Sequence, residues 1–288
     1  MLINNCPELA SLEVYFKQHS AFDFVSSVLE HPSNKVKVLE MPPNTEGDSA
    51  RFFAALGRSQ VSALALYYSP EVAQGLHEYL ARDLLVRLNS ITTLTLDYCS
   101  FVGGFDWSFL ADSNVRELGL DCGKGVDGNQ LGDALAVHLG AKGLDELRLR
   151  DCRFADETLA VVGVELGRIK MLEIYSDLSD ASIALIALAL QSPNSEVKEL
   201  RLWYDDNTVS SIETHLAPAL SHPNCNLVRL SFLAYRPEHK KAAERVEDMF
   251  RKRLALFALL QGRQMRRLCC PLRRLPVEMF RLVGQMLN

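Results

Sequence analysis

The segment LDELRL, residues 144–149, has aliphatic side chains at its first, fourth and sixth positions. Seven other hexapeptides share this spacing of apolar residues, with Met or Phe at the sixth position in two of them. They begin at residues 36, 61, 91, 115, 169, 197 and 227. The eight starts are 25, 30, 24, 29, 25, 28 and 30 residues apart. Recurrence at such a period predicts an array in which each unit packs on its neighbours.

Between these segments the apolar residues recur with the period of a helix. The clearest cases follow an Asp, Ser or Asn and span residues 127–140, 155–167, 179–190 and 207–220. Aliphatic residues on one stripe behind a capping residue favour amphipathic helices. Each unit is therefore predicted to supply one short strand with its leucines facing inward and one helix, and the strands are predicted to form a single parallel sheet.

The repeated segments resemble the leucine-rich repeat, L-x-x-L-x-L-x-x-N/C-x-L, over about residues 36–235. Position nine holds Asn or Cys in three of them: Asn44, Cys99 and Cys152. HPNCNLVRLSF, residues 222–232, is similar to repeats of ribonuclease-inhibitor and NOD-like-receptor type. The resemblance implies an α/β leucine-rich-repeat solenoid with a curved parallel sheet inside and helices outside. Mixed short and long units leave the curvature open.

Three regions are predicted on this basis. Residues 1–35 are expected to form an N-terminal helical cap, residues 36–235 about eight repeats, and residues 236–288 a basic helical C-terminal segment. The last region holds 13 Lys and Arg against 5 Asp and Glu, a balance of +8, whereas the whole chain carries −5 and residues 1–235 therefore −13. This asymmetry predicts two surfaces of different character.

The concave face of such a solenoid is the predicted binding site for a protein partner. Positions three, five, seven and eight of each strand face it, and they are rich in Tyr, Trp and Arg, the residues that contribute most binding energy at protein interfaces. The candidate residues are Tyr67, Tyr68, Tyr98, Glu117, Glu146, Arg148, Arg150, Glu173, Tyr175, Arg201, Trp203 and Tyr204. Further charged residues at these positions are Asp97, Asp121, Asp151, Glu199 and Arg229. The alternative interpretation is that the aromatic rings only lie across neighbouring strands and stiffen the sheet.

The basic C-terminal segment permits several interpretations. Residues 251–274 are dense in arginine, but LALFALL interrupts them and the repeat region is acidic, so no nucleic-acid partner is expected. As a helix, the stretch from residue 237 places Val246, Met249, Phe250 and Leu254 on one stripe. Such a helix is predicted to cover the open end of the last repeat.

LPVEMFRLVGQML, residues 275–287, resembles the opening of an F-box, the motif that docks substrate receptors onto a Skp1-like adaptor of cullin ubiquitin ligases. The residues that carry the resemblance are Leu275, Pro276, Glu278, Val283 and Leu287, and Met279 could add a second apolar face. The resemblance implies a possible role as a ubiquitin-ligase substrate receptor. The box departs from the family by following the repeats and lacking later helices. The alternatives are a helix that only caps the solenoid and a ribonuclease-inhibitor-like or innate-immune-type binder without ubiquitin function.

Catalytic, metal and membrane signals are weak. The glycine-rich loop at residues 119–128 lacks the spacing of a phosphate-binding loop and the Ser or Thr after Lys124. The seven histidines form no H-E-x-x-H motif, and the seven cysteines form no C-x-x-C pair, so neither a metal nor a disulfide framework is expected. No apolar run reaches membrane-spanning length, and no signal peptide is recognised at the start. The sequence therefore predicts a binding protein without a cofactor, intracellular and most simply cytoplasmic, rather than an enzyme.

Overall fold

Parallel strands recur along the chain in the computed structural model. The structure describes residues 9–14, 21–41, 49–67, 90–97, 106–121, 126–203, 208–234 and 239–252, with the exception of residue 242. Within these ranges nine strands form one sheet, in which spatial order follows chain order. The strands are β1 (Ser11–Glu13), β2 (Val38–Met41), β3 (Ala63–Tyr67), β4 (Thr93–Asp97), β5 (Glu117–Asp121), β6 (Leu144–Arg150), β7 (Ile169–Tyr175), β8 (Glu199–Trp203) and β9 (Arg229–Leu233).

Residues at equivalent positions of the repeated segments pair with each other in the sheet. Leu118 on β5 pairs with Leu147 on β6, which pairs with Leu172 on β7, and Leu172 in turn pairs with Leu200 on β8. All of these residues occupy position four of their segments. The eight strands predicted from the sequence are thus confirmed as strands of one parallel sheet.

Positions four and six of the strands form the core. Five leucines at these positions are each no more than 1% exposed, namely Leu147, Leu149, Leu172, Leu200 and Leu202. This confirms the prediction that the leucines of the strands face inward. Alternate residues of a strand point to opposite faces, so the residues between these leucines lie on the other face. Strands β3, β4 and β8 show this alternation of half-buried and buried residues along their whole length.

Helices connect most of the described strands. They are α1 (Ala21–Leu29), α2 (Ser49–Arg58), α3 (Phe109–Asp112), α4 (Gly128–Ala141), α5 (Ala155–Val162), α6 (Asp180–Gln191), α7 (Thr208–Ser211) and α8 (Ala217–Leu220). A 3-10 helix, Gly163–Arg168, continues α5, and a π-helical stretch, Ile212–Leu216, joins α7 to α8. Asp127 caps α4 by accepting hydrogen bonds from the backbone N–H groups of Asn129 and Gln130, and Ser179 caps α6 in the same way.

Neighbouring helices lie side by side and bury their apolar residues against the leucines of the sheet. Leu131, Leu135 and Leu139 on α4 are fully buried. The approach of α4 to α5 is close: a Cβ on Gly132 would lie 2.6 Å from the Cβ of Val161. Only glycine fits there, so this position sets the spacing of two successive repeats.

The first 35 residues contain a strand as well as a helix, so the predicted helical cap needs correction. Strand β1 pairs with β2 through Ser11 and Val38, and Leu12 and Val14 are buried in the common core. Leu9, Leu12 and Val14 stand at positions one, four and six of the same repeated pattern. This segment joins the sheet because it carries the same inward apolar pattern as the other strands.

The chain is helical again over the described residues 239–241 and 243–252, beside the last strand. Val246 and Phe250 of the predicted apolar stripe are buried, but Met249, placed on the same stripe, is 43% exposed, so the buried part of the stripe is narrower than predicted. The Oε1 atom of Glu247 accepts a hydrogen bond from the backbone N–H of Phe232 at 2.9 Å, which ties this helix to β9. Residues 253–288 lie outside the described residues. No helix within the described part of the chain combines the length and apolarity that a bilayer crossing requires.

Candidate functional site

The face of the sheet opposite the leucines carries the side chains at positions three, five and seven of every strand. We call this surface the polar face. Its described charged and aromatic members are Glu13, Glu40, Tyr67, Asp97, Glu117, Asp121, Glu146, Arg148, Arg150, Glu173, Tyr175, Glu199, Arg201, Trp203 and Arg229. Most of them are half-buried, because each side chain packs between those of the two adjacent strands.

A buried carboxylate organises the polar face of β6–β9. Glu173 is fully buried, and each of its oxygen atoms meets a different arginine. Arg150 Nε donates to Oε1 at 2.6 Å, and Arg201 Nη1 donates to Oε2 at 2.9 Å. The buried charge is therefore compensated on both sides, as a stable buried carboxylate requires.

The ionic network continues from Glu173 towards β9. Arg201 Nε also donates to Glu199 Oε1 at 2.8 Å, and Arg229 Nη1 reaches Glu199 Oε2 at 3.5 Å. Glu146 and Arg148 form a further ion pair on β6. Hydrogen bonds to Glu199 and Glu173, which outweigh burial, raise the pKa of Arg201 above its usual range. The arginines on β6–β8 are consequently held in defined positions.

Three described aromatic residues stand at position seven of their strands, namely Tyr67, Tyr175 and Trp203, and all are half-buried. The guanidinium carbon of Arg150 lies 5.5 Å from the ring centroid of Tyr175, within cation–π distance. Burial and the nearby Glu173 raise the pKa of Tyr175 above its usual value, so its hydroxyl stays protonated. Arg150 and Tyr175 thus contact each other across β6 and β7 and still expose part of their surface.

The structure brings together part of the predicted binding face. Arg150, Glu173, Tyr175 and Arg201 form one connected group, and Glu117 pairs across the ladder with Glu146. Tyr67 lies apart from this group on β3. Tyr68, Tyr98, Tyr204 and the predicted adaptor-binding residues at 275–287 lie outside the described residues.

The polar face of β1–β5 differs in charge from that of β6–β9. Glu13, Glu40, Asp97, Glu117 and Asp121 occupy it, and no described residue at positions three, five and seven of these five strands is basic. Burial, the charge of Glu13 and a hydrogen bond with that carboxyl group raise the pKa of Glu40. This half of the surface therefore concentrates negative charge, and the arginines of β6 adjoin it only at its edge, where Arg150 stands opposite Asp121.

Small side chains open a cavity of about 360 Å³ in this acidic half. The polar-face residues of β3, β4 and β5 that line it include Ala63, Ala65, Thr93, Thr95 and Gly119. Tyr67, Asp97 and Asp121 stand at one end, and Arg148 and Arg150 form the wall towards β6. The cavity exists because β3 and β4 carry only Ala or Thr at positions three and five, and β5 carries Gly119 at position five.

Two carboxyl groups adjoin across the ladder at this cavity, since Asp97 on β4 pairs with Asp121 on β5. Burial and the charge of Asp121 raise the pKa of Asp97 to about 6, against the opposing effect of Arg150 and Arg148. The Oδ1 atom of Asp121 is buried and accepts no hydrogen bond within the described part of the chain. The Asp121 carboxylate therefore has unused capacity to accept a hydrogen bond at this cavity.

Sequence reasoning placed Asp97 and Asp121 on this face but did not select them as site residues, and it missed Glu13 and Glu40. The sequence identifies Glu13 through the repeated pattern, because the pattern extends back to Leu9 and places Glu13 at position five. The signal for the cavity is the Ala and Thr residues at positions three and five of β3 and β4, followed by Gly119 at position five of β5. Neither signal involves Tyr, Trp or Arg, on which the prediction concentrated.

The described residues contain no group of three or more His, Cys, Asp or Glu side chains arranged to hold a metal ion. Cys152, which stands at position nine of its repeat, is buried, and its Sγ lies 3.1 Å from the carbonyl oxygen of Arg150. The chain matches no protein-family model. It also has no significant match among curated proteins.

Proposed function

We propose that this chain is a protein-interaction module of the leucine-rich-repeat type that binds a protein partner on its polar face. The observation that carries the proposal is the group on β6–β8 in which Glu173 holds Arg150 and Arg201 and Tyr175 lies against Arg150, with Trp203 half-buried at position seven of β8. Arg, Tyr and Trp are the residue types that dominate binding energy at interfaces.

The fixed positions of these side chains favour binding. Ordering a long side chain on association costs about 0.5–1.5 kcal/mol, and Arg150 and Arg201 are already ordered by Glu173 before any partner arrives. Their side chains remain 44% and 36% exposed, so both retain surface for contact. A surface ordered in this way loses less entropy on binding than a surface of freely rotating residues.

A ubiquitin-ligase role, with the C-terminal helix as recruiter, stays a prediction, because the residues that carry it lie outside the described residues. The proposal here concerns partner binding alone. It is equally compatible with an inhibitor or sensor that recruits nothing.

Affinity capture with the full chain as bait tests the proposal. Partners captured by the wild type and identified by mass spectrometry are compared with those captured by Tyr175→Ala and Trp203→Ala. Leu188→Ala, a change at a 60% exposed apolar residue on α6, is the matched control. We expect both aromatic variants to weaken binding of a purified partner about 30-fold, which corresponds to about 2 kcal/mol.

The control should bind like the wild type, and all variants should unfold at similar temperatures. Equal capture by the wild type and both aromatic variants would refute the proposed binding face. Reduced capture in proportion to lost folded protein would show that these rings only stiffen the sheet.

A further inference from the structure

We infer that the acidic half of the polar face receives, across β2–β5, a basic segment of the protein partner, with one Lys or Arg side chain entering the cavity beside Asp97 and Asp121. The inference rests on the proposed function and assigns the chemistry of the partner. It commits to a basic peptide segment and not to a metal ion or an anionic ligand.

The first step of the argument is space. Ala63, Ala65, Thr95 and Gly119 leave a cavity of about 360 Å³ on a face that long side chains otherwise fill. Adjacent strands lie about 4.8 Å apart, so β2–β5 span about 14 Å, the length of four or five extended residues. A short peptide stretch fits across these strands with one side chain pointing into the cavity.

The second step is charge. Glu13, Glu40, Asp97, Glu117 and Asp121 lie on β1–β5 without a described basic residue at the same positions of those strands. The arginines of the neighbouring wall offset this charge only in part, because Arg150 stands opposite Asp121 in the ladder but is shared with Glu173, and Arg148 is paired with Glu146. Complementary charge on the partner is therefore positive.

The third step is the choice among cations. A divalent ion requires several oxygen ligands converging on one point, and no described residues form such a group. A lysine ammonium or arginine guanidinium needs fewer acceptors and carries an apolar stem. The small side chains of the cavity suit the stem, and the two aspartates at its end suit the head.

The protonation of Asp97 provides a measurable sign that a cation has bound. Its pKa of about 6 reflects burial first and then the charge of Asp121, with Arg150 and Arg148 acting in the opposite direction and Glu40 adding a smaller repulsion. A cation in the cavity favours the ionised carboxylate and lowers this pKa. Binding therefore releases protons near pH 6, and the affinity falls as the pH drops below 6.

Fluorescence anisotropy of a labelled oligolysine peptide with the full chain provides the test. We expect the variant carrying both Asp97→Asn and Asp121→Asn to bind about tenfold more weakly than the wild type. Asp133→Asn, which removes a charge from the exposed side of α4, is the control for general electrostatics and should change the affinity by less than about twofold. An oligoglutamate peptide should not bind.

A second variant keeps the test independent of charge. Ala65→Leu fills the cavity and leaves every carboxylate in place, and we expect it to weaken oligolysine binding by at least about fivefold. Both variants are checked for wild-type thermal unfolding and circular dichroism. Oligolysine affinity should also fall at pH 5 in the wild type and change less with pH in Asp97→Asn.

Three results would overturn the inference: equal oligolysine affinity in the wild type and in folded Asp97→Asn/Asp121→Asn protein, equal weakening by Asp133→Asn, or equal binding of oligoglutamate. If a synthetic peptide of residues 253–274 binds at this cavity more tightly than oligolysine, the occupant is this chain's own basic segment and the partner assignment is wrong. The capture experiment with Trp203→Ala is separate. Its success together with failure here would remove only the present inference.

Discussion

The two halves of the polar face share a backbone and differ in how their charges are arranged. On β6–β9, Glu173 and Glu199 alternate with Arg150, Arg201 and Arg229, so that each carboxylate meets an arginine on an adjacent strand. On β1–β5, Glu40 adjoins Glu13 and Asp97 adjoins Asp121. One pairing register thus produces a neutralised surface in one half and an accumulation of negative charge in the other.

The comparison teaches that a parallel ladder of repeats fixes which side chains become neighbours, whereas the residue at each position decides what they do together. The neutralised half is ordered before binding and favours contact through aromatic and arginine surface. The acidic half has raised carboxyl pKa values at Glu40 and Asp97. A positively charged ligand would lower both, which makes this half responsive to ligand charge and to pH.

The largest expected effect comes from breaking the core that the two halves share. Leu147→Asp places a charge among fully buried leucines, and we expect it to destabilise the chain by more than about 4 kcal/mol. Because each repeat depends on its neighbours, the loss should spread over several units. Urea unfolding followed by circular dichroism measures the effect.

Val164→Asp is the control for this change, because Val164 is 80% exposed and the substitution there should alter stability by less than about 0.5 kcal/mol. A Leu147→Asp protein with wild-type stability would contradict the register of the sheet.

The next effect concerns the neutralised half alone. Glu173→Gln removes the buried carboxylate that holds Arg150 and Arg201, and we expect a loss of about 2 kcal/mol. The expected value lies below that for a wholly buried pair because both arginines remain partly exposed and can be rehydrated. Chemical denaturation measures the change.

Glu165→Gln is the matched control, since Glu165 pairs with Arg168 on the surface and should contribute less than about 0.5 kcal/mol. Oligolysine binding at the acidic half should persist in folded Glu173→Gln protein. Equal stability of the two Gln variants would show that Glu173 does not organise this surface.

The sheet was predictable from the sequence because burial imposes a strict pattern. Leu147 and Leu149 must both face inward, and that requirement repeats at every strand. The same pattern covers Leu9, Leu12 and Val14, which precede the first of the eight aligned segments, so the prediction of a helical cap over residues 1–35 misses this strand. The helix of residues 21–29 follows this strand, as a helix follows most of the later strands.

The site was predictable only in part. Composition identified Tyr175, Arg201 and Trp203, because residue type alone marks interface propensity. The role of Glu173 depends on three strands at once, since its arginines come from the strands on either side. The cavity depends on the small side chain of Ala65 and on the lack of one at Gly119. The raised pKa of Asp97 depends on burial by neighbouring strands, which the sequence of one segment does not reveal. Such features emerge from the ladder and not from any one repeat.

A smaller effect tests the acidic half through pH. The pKa of Asp97 is raised from 3.8 to about 6, so the folded chain binds this proton more tightly than the unfolded chain. Stability should therefore fall as the pH rises through the window from 3.8 to about 6, by about 1 kcal/mol after allowance for solvent screening.

Asp97→Asn removes this contribution, so the variant should match the wild type near pH 4 and exceed it by about 1 kcal/mol near pH 7. Urea unfolding at both values measures the difference. Asp133→Asn should leave the difference between the two pH values unchanged. A variant that is less stable than the wild type near pH 7 would mean that ionised Asp97 is stabilised in the sheet.

The smallest effect lies at the outer end of the ionic network, where burial is lost. Arg229 is 75% exposed and lies 3.5 Å from Glu199, whereas Glu173 is fully buried between its two arginines. An exposed pair gains little Coulomb energy in water and must order two long side chains, so we expect Arg229→Gln to reduce stability by no more than about 0.5 kcal/mol. Near 1 M salt the Debye length is about 3 Å, and this small contribution should vanish, whereas the effect of Glu173→Gln should largely remain. Denaturation of both variants at low and high salt separates the two cases. If Arg229→Gln lost as much stability as Glu173→Gln at both salt concentrations, the network would act as one unit, and burial would not be the property that distinguishes its centre from its edge.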